Sequence, residues 1–261
     1  MKRLFILLFV ISTHFSYGQE RVVKKPEYVI IINDSIVTKA KVDEYGKQGY
    51  IKGMAKGVTD EKRARLAEKL GDKIGDKQFI VIVSLFTEKE RQENLQKVKS
   101  SISKKDSLQS NHEYRLNAGD PAKNFTVKMM NGQDIKLADL KGKVVLLNFW
   151  ATWCAPCIME FYDFPSKIIA PYKNADFVLL PVSIGETMAL VKEKMAKLKQ
   201  DGIDFNVGID PAQSIFNLYA TGSIPKSFLI DKKGIIRFVS TGNSEDNLNK
   251  ISLMIQDLLN E

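Results

Sequence analysis

A chain of 261 residues that is 44% hydrophobic and 27% charged has apolar material for one large core or two modest ones, which excludes an intrinsically disordered protein. Its formal charge is +8, and residues 20–113 carry 20 basic against 15 acidic side chains, so the basic excess belongs to the front half. That excess lacks the clustering and aromatic interleaving that nucleic-acid binding requires, and this function class is set aside.

The first twenty residues differ from the rest. Lys2 and Arg3 precede the apolar run Leu4 to Ile11, and a polar stretch ending Ser16-Tyr17-Gly18 follows. This is the pattern of a secretory signal peptide over 1–18, with cleavage expected after Gly18. The run falls short of the roughly 18 apolar residues a membrane helix needs, and no cysteine follows the cleavage point to carry a lipid. An exported, periplasmic product is expected, with an uncleaved membrane anchor as the alternative. Losing Lys2 and Arg3 leaves 37 basic against 31 acidic residues, a charge of +6.

Tyr28 to Ile32 and Ile36-Val37 read as short strands around a turn at Asn33-Asp34-Ser35. Residues 59–70 open with a threonine cap and early acids, place Leu66 and Leu70 at helical spacing and stop at Gly71, which predicts a helix. "QFIVIVSLF" at 78–86 predicts a buried strand. Together these make a small α+β domain over 26–86. Charged, serine-rich residues 87–113 predict a surface helix fading near Ser100 into a linker.

From Gly119 short strands and helices alternate. A turn-rich lead, "DIKLADLKGK", precedes a buried strand at Val144 to Phe149 and a helix over 155–172, which Pro165 should kink. A strand at Phe177 to Ser183, a helix over 187–200 and a short helix at Ser214 to Tyr219 follow. Ser227 to Ile230 and Ile235 to Ser240 flank Asp231-Lys232-Lys233-Gly234 as a hairpin, and 245–259 close the chain as a helix. The fold class is α/β: a mixed sheet over 114–261 with helices on both faces, preceded by the small α+β domain.

The only cysteines, Cys154 and Cys157, stand at the end of the strand in "VVLLNFWATWCAPC". A structural zinc wants four ligands, and only His14, in the leader, and His112, in the linker, could add to the pair, so no metal is expected. As a staple, a disulfide across so short a loop removes only about 2 kcal/mol of unfolded-state entropy. A redox role uses the spacing. With Cys154 at the strand end and Cys157 in the first turn of the helix, unpaired helix N–H groups favour a thiolate at Cys154, and Cys157 can attack the resulting mixed disulfide from within the same molecule. Ala155 and Pro156 start the helix, where the missing N–H of proline costs nothing.

"KVVLLNFWATWCAPC", together with "AGDPAKNFTV", "PVSIGE" and "TGSIPKSFLIDKKGIIRFVSTG", resembles the thioredoxin superfamily, specifically its TlpA/ResA branch of exported thiol-disulfide oxidoreductases. The resemblance covers about 116–261; the front residues resemble, weakly, the small modules found ahead of thioredoxin domains. It implies a thioredoxin-like fold, no cofactor, and a cis-proline opposite the cysteines, matched by Ile224-Pro225, whose exposed backbone edge could pair with an extended substrate. It implies a carboxylate near Cys157. Asn148 fills the position of the buried aspartate of many thioredoxins and cannot accept a proton, whereas Glu160 shares the helix face of Cys157 and could deprotonate it. Trp153 is expected to be a surface aromatic that contacts substrate, Trp150 and Phe149 to lie in the core, and Glu186 to cap a helix.

The expected activity is reduction of protein disulfides in the cell envelope, recharged by a membrane thiol carrier, with cytochrome c maturation as a common duty of the family. Two alternatives are a thiol peroxidase, though Asn148 to Trp153 lacks the Pro-x-x-x-Thr-x-x-Cys context, and a binding protein whose front domain recruits an envelope partner. Residues 20–113 hold no cysteine and no histidine before His112, so binding or spacing is their default role.

Overall fold

The computed structural model describes residues 25–102 and 113–261; the expected leader, His112 and most of the expected linker lie outside them. The front residues begin as a hairpin, β1 (Val29–Ile32) and β2 (Ser35–Val37), with Ile32 opposite Ser35. Asn33 and Asp34 carry φ of 48° and 60°, the paired left-handed residues of a two-residue turn that follows strand twist. Helix α1 (Lys39–Lys47) and strand β3 (Ile51–Lys56) come next, neither anticipated from sequence. Helix α2 (Asp60–Leu70) has the expected ends, Thr59 accepting from the Lys62 N–H and Gly71 at φ 71°. Strand β4 (Ile80–Leu85) completes a sheet ordered β2-β1-β4-β3, in which β1 and β4 run parallel, and helix α3 (Glu88–Ile102) follows it.

The second sheet has seven strands: β5 (Thr126–Met129), β6 (Asp134–Lys136), β7 (Val144–Trp150), β8 (Phe177–Ile184), β9 (Gly208–Asp210), β10 (Lys226–Ile230) and β11 (Ile236–Thr241). Its order is β11-β10-β7-β8-β9-β5-β6, with β7, β8 and β9 parallel and every other pair antiparallel. The expected mixed α/β sheet is therefore present. Its helices are α4 (Ala155–Phe161), α5 (Met188–Gln200), the short α6 (Phe216–Tyr219) and α7 (Glu245–Asn260). Among the described residues no helix is long and apolar enough to cross a membrane.

All of β7 is buried, and its alternation assigns its residues to two cores. Val144, Leu146 and Trp150 face a cluster that takes in α4, α5 and α7. Val145, Leu147 and Phe149 face a second with α6, Phe228 and Leu180. Asn148 therefore points to the side that carries α4. Phe79, from the front residues, is buried in the first cluster, and Tyr28 meets it edge-on at 5.9 Å, so the front residues pack against the core that holds α4, α5 and α7.

The helix expected over 155–172 is not continuous. Helix α4 ends at Phe161, and a wider turn runs Pro165–Ile169, closed by the Ala170 N–H on the Pro165 carbonyl at 2.9 Å. Pro165 has no N–H to give to the preceding turn, and its ring crowds that turn, so the kink becomes a break.

Phe149 packs on Phe216, Tyr219 and Phe228 at ring separations of 5.2, 5.9 and 6.1 Å. Phe149→Ala is expected to lower unfolding free energy by about 3–5 kcal/mol in denaturant titration. A loss under about 1 kcal/mol would show that this core is not packed as described.

Candidate active site

The two cysteines sit where β7 gives way to α4, and they are joined to each other in a disulfide. Cys154 is the residue that caps α4, and its Sγ accepts the Cys157 N–H at 3.3 Å. Pro156 stands in the first turn, as expected. Cys157 is fully buried and Cys154 slightly less so. The Ile224-Pro225 peptide is cis, and the Ile224 carbonyl oxygen lies 3.7 Å from Cys154 Sγ. A disulfide sulfur has no proton to donate, so this is a contact between the pair and the backbone edge, not a hydrogen bond.

Beneath Cys157 lies a buried polar group. Glu160, one turn along α4, is only 2% exposed. Asn148 donates through Nδ2 to Glu160 Oε2 at 2.9 Å and to Ser227 Oγ at 3.0 Å. Asn148 and Ser227 are opposite each other in the β7–β10 ladder, so the sheet register itself assembles the group. Burial dominates the titration of Glu160: it pushes the carboxyl from 4.5 up to about 8, against a single amide hydrogen bond that favours the charged form. Asp163 adds to the rise and Lys25, which pairs with Asp163, opposes it.

Glu186 does not cap a helix. Helix α5 starts at Met188 with Thr187 in the cap position, and Glu186 instead accepts the Thr152 N–H at 2.8 Å, the Thr152 hydroxyl and the Ser183 hydroxyl at 2.6 Å. It ties the loop before Cys154 to the end of β8. The flanking segment signalled something here, yet its partner lies 34 residues away and no local pattern could name it. Lys226 escaped the sequence reading altogether. Next to Pro225 and fully buried, it reaches Glu113 Oε2 at 2.8 Å and Thr241 Oγ1 at 3.0 Å, with Nζ 4.9 Å from the centre of the Tyr114 ring. Trp150 and Phe149 are in the core, and Trp153 stands 68% exposed beside the pair. Ala155, Cys157, Glu160, Ile224 and Pro225 thus converge on one end of β7.

Residues 118–239 match the AhpC/TSA family. The thiol-disulfide oxidoreductase ResA of Bacillus anthracis is 40% identical over 120 residues, 46% of this chain and 67% of that protein. The protein of the same name from Bacillus subtilis (strain 168) is 34% identical over 145 residues, 56% of this chain and 75% of its own. The chain belongs to the ResA family of thiol-disulfide oxidoreductases. A solved structure, described as a putative protein disulfide isomerase from Bacteroides thetaiotaomicron, superimposes with a TM-score of 0.54 at 30% identity, covering 58% of this chain and 96% of that one. The ResA-like part carries the Cys154–Cys157 disulfide, and the enzyme is a thiol-disulfide oxidoreductase.

The raised carboxyl of Glu160 couples folding to pH. Its proton leaves near pH 4.5 in the unfolded chain and near pH 8 in the folded one, so between these values the folded state holds the extra proton. Stability from this group is complete below pH 4.5, falls as pH rises, and levels off above about 8. Denaturant titrations of the oxidised protein at pH 5 and pH 8 should show Glu160→Gln gaining roughly 3–4 kcal/mol relative to the wild type between them. Parallel stability curves for the two proteins would contradict a buried, proton-holding Glu160.

Proposed function

We propose that this ResA-type enzyme is a protein-disulfide reductase of the cell envelope, exported through the leader at 1–18, with residues 114–261 as its redox domain and 26–86 as an accessory module. The observation that carries this reading is the buried Glu160 beneath a pair whose outer sulfur already accepts the Cys157 N–H. In the reduced enzyme that N–H, at the start of α4, stabilises negative charge on Cys154 and makes its sulfur the nucleophile. Cys154 attacks a substrate disulfide, forming a mixed disulfide and expelling one substrate thiolate. Cys157 gives its proton to ionised Glu160 and attacks Cys154 Sγ, releasing the second thiolate and closing the ring. Two electrons leave the dithiol for the substrate, and the substrate thiolates take up protons from solvent.

The proton then resides on Glu160, which is the state that a carboxyl raised to about 8 favours in the oxidised protein at neutral pH. When a donor dithiol reopens the ring, Glu160 returns the proton to the Cys157 thiolate, so one proton shuttles between two buried groups. The donor in this reading is a membrane thiol carrier, and maturation of c-type cytochromes, which consumes reduced cysteine pairs, is a process that fits it. Ile224 and Pro225 offer backbone to an extended substrate strand and Trp153 covers it, a role supported by the contact of Cys154 with Ile224 and by the exposure of the indole.

Cys157→Ser is expected to accumulate a covalent Cys154 adduct with protein disulfides, read on non-reducing gels; no adduct would contradict the assignment. In single-turnover experiments Glu160→Gln should slow release of the mixed disulfide by roughly a hundredfold. A release rate equal to the wild type across the pH range would remove Glu160 from the mechanism.

A further inference from the structure

Trp153 stands between two depressions. On one side it forms, with Gly185, Gln213 and Ile224, the groove that follows the Ile224 backbone. On the other it borders a cavity of about 610 Å³ whose far wall is the front module. A substrate segment lying along Ile224 that continues past the indole enters this cavity. Its apolar surface comes from Val58 and Ile82 on the module side and from Trp153 and Leu190 on the redox side. Trp153 and Leu190 are 68% and 52% exposed, large apolar side chains left open to solvent at the same place.

The charged groups around this cavity do not balance. Lys62, Lys77, Lys194 and Lys197 line it with one carboxylate, Glu193. Glu193 is held by Lys197 at 2.8 Å, and Lys77 is held by Asp60, outside the lining, at 2.7 Å. Among the described residues Lys194 has only a neutral partner, donating to Gln78 Oε1 across the two units at 2.6 Å. Burial pushes the pKa of this ammonium down, and Asp76, Glu186 and Asp201 act on it only through space. Among the described residues Lys62 is in no contact ion pair; it feels Asp34, which is bound to Lys69. A half-buried ammonium held by an amide gains a charge-assisted hydrogen bond when a carboxylate arrives.

We propose that this cleft selects protein substrates carrying an acidic side chain beside the attacked disulfide, read by Lys194 and Lys62, with an apolar neighbour packed on Trp153 and Leu190. The front module is then the second wall of the substrate site, and the Gln78–Lys194 bond and Phe79 hold that wall in position. This inference rests on Cys154 attacking protein disulfides and adds what distinguishes one substrate from another.

The test compares two synthetic disulfide peptides that differ only in having Asp-Glu or Lys-Lys next to the cysteine, with a small symmetric aliphatic disulfide as control, using the full-length protein. The wild type should show kcat/KM higher for the acidic peptide by roughly fivefold or more, a preference that shrinks at high salt. Lys194→Gln and Lys62→Glu should each reduce the preference, and Lys62→Glu combined with Lys194→Glu should invert it, while turnover of the small disulfide stays as in the wild type. Lys62 is exposed, so its variant keeps the test intact if Lys194 changes disturb folding. Equal rates on the two peptides, or a preference that survives the substitutions, with small-disulfide turnover intact, would overturn the proposal and leave the reductase reading standing. Failure of the wild type on every disulfide would instead remove the reductase reading and this proposal with it.

Discussion

The backbone N–H of Cys157 directed at Cys154 Sγ is the interaction around which the rest is arranged. It exists because β7, buried along its whole length, ends where α4 begins, leaving Cys154 as the cap of a helix whose first amides have no carbonyl of their own. Because α4 is interrupted at Phe161, this direct amide contributes more than the dipole of a long helix. Glu186 fixes the loop on the entry side through Thr152, and Lys226, buried against Glu113 and Thr241, fixes the strand that follows Pro225. Both are polar groups placed in the interior with their bonding satisfied, and they hold the two backbone segments between which the sulfurs lie.

Glu160 shows which of two opposing effects wins. Removing a carboxylate from water disfavours its charged form strongly, and the one donor it meets among the described residues, Asn148 Nδ2, is neutral and shared with Ser227. The result is a carboxyl raised to about 8, near enough to neutral pH for the proposed cycle, in which it holds or releases a proton as Cys157 changes state. The same burial costs the folded state stability progressively as pH rises from about 4.5 to about 8, so the buried carboxyl is kept at some expense of stability.

Much of this was legible in the sequence, for identifiable reasons. Continuous apolar runs announced β4, β7 and β8, and the Thr59 and Gly71 signals bounded α2. The cysteine spacing, the proline after Ile224 and the helical phase of Glu160 located the site. Elements that bury little were invisible: α1 covers a single buried residue, Val42, and β3 is exposed at five of its six positions. Strand β9 is three residues long and starts at Gly208, where an added Cβ would lie 2.5 Å from Val127; its glycine serves close strand approach but reads as a turn. Features made by distant partners were equally hidden. Ser227 opposite Asn148, Thr152 on Glu186, and the front module facing Trp153 each join residues far apart in the chain, and no local pattern encodes such a meeting.

The most direct measurement of the central interaction is the pH dependence of alkylation in the reduced enzyme, with each cysteine followed separately by mass spectrometry. Cys154 should react quickly, with a midpoint well below the ordinary thiol value of about 8.5, while Cys157 stays slow. Two equally sluggish thiols titrating near that ordinary value would contradict the proposed activation of Cys154 by the start of α4.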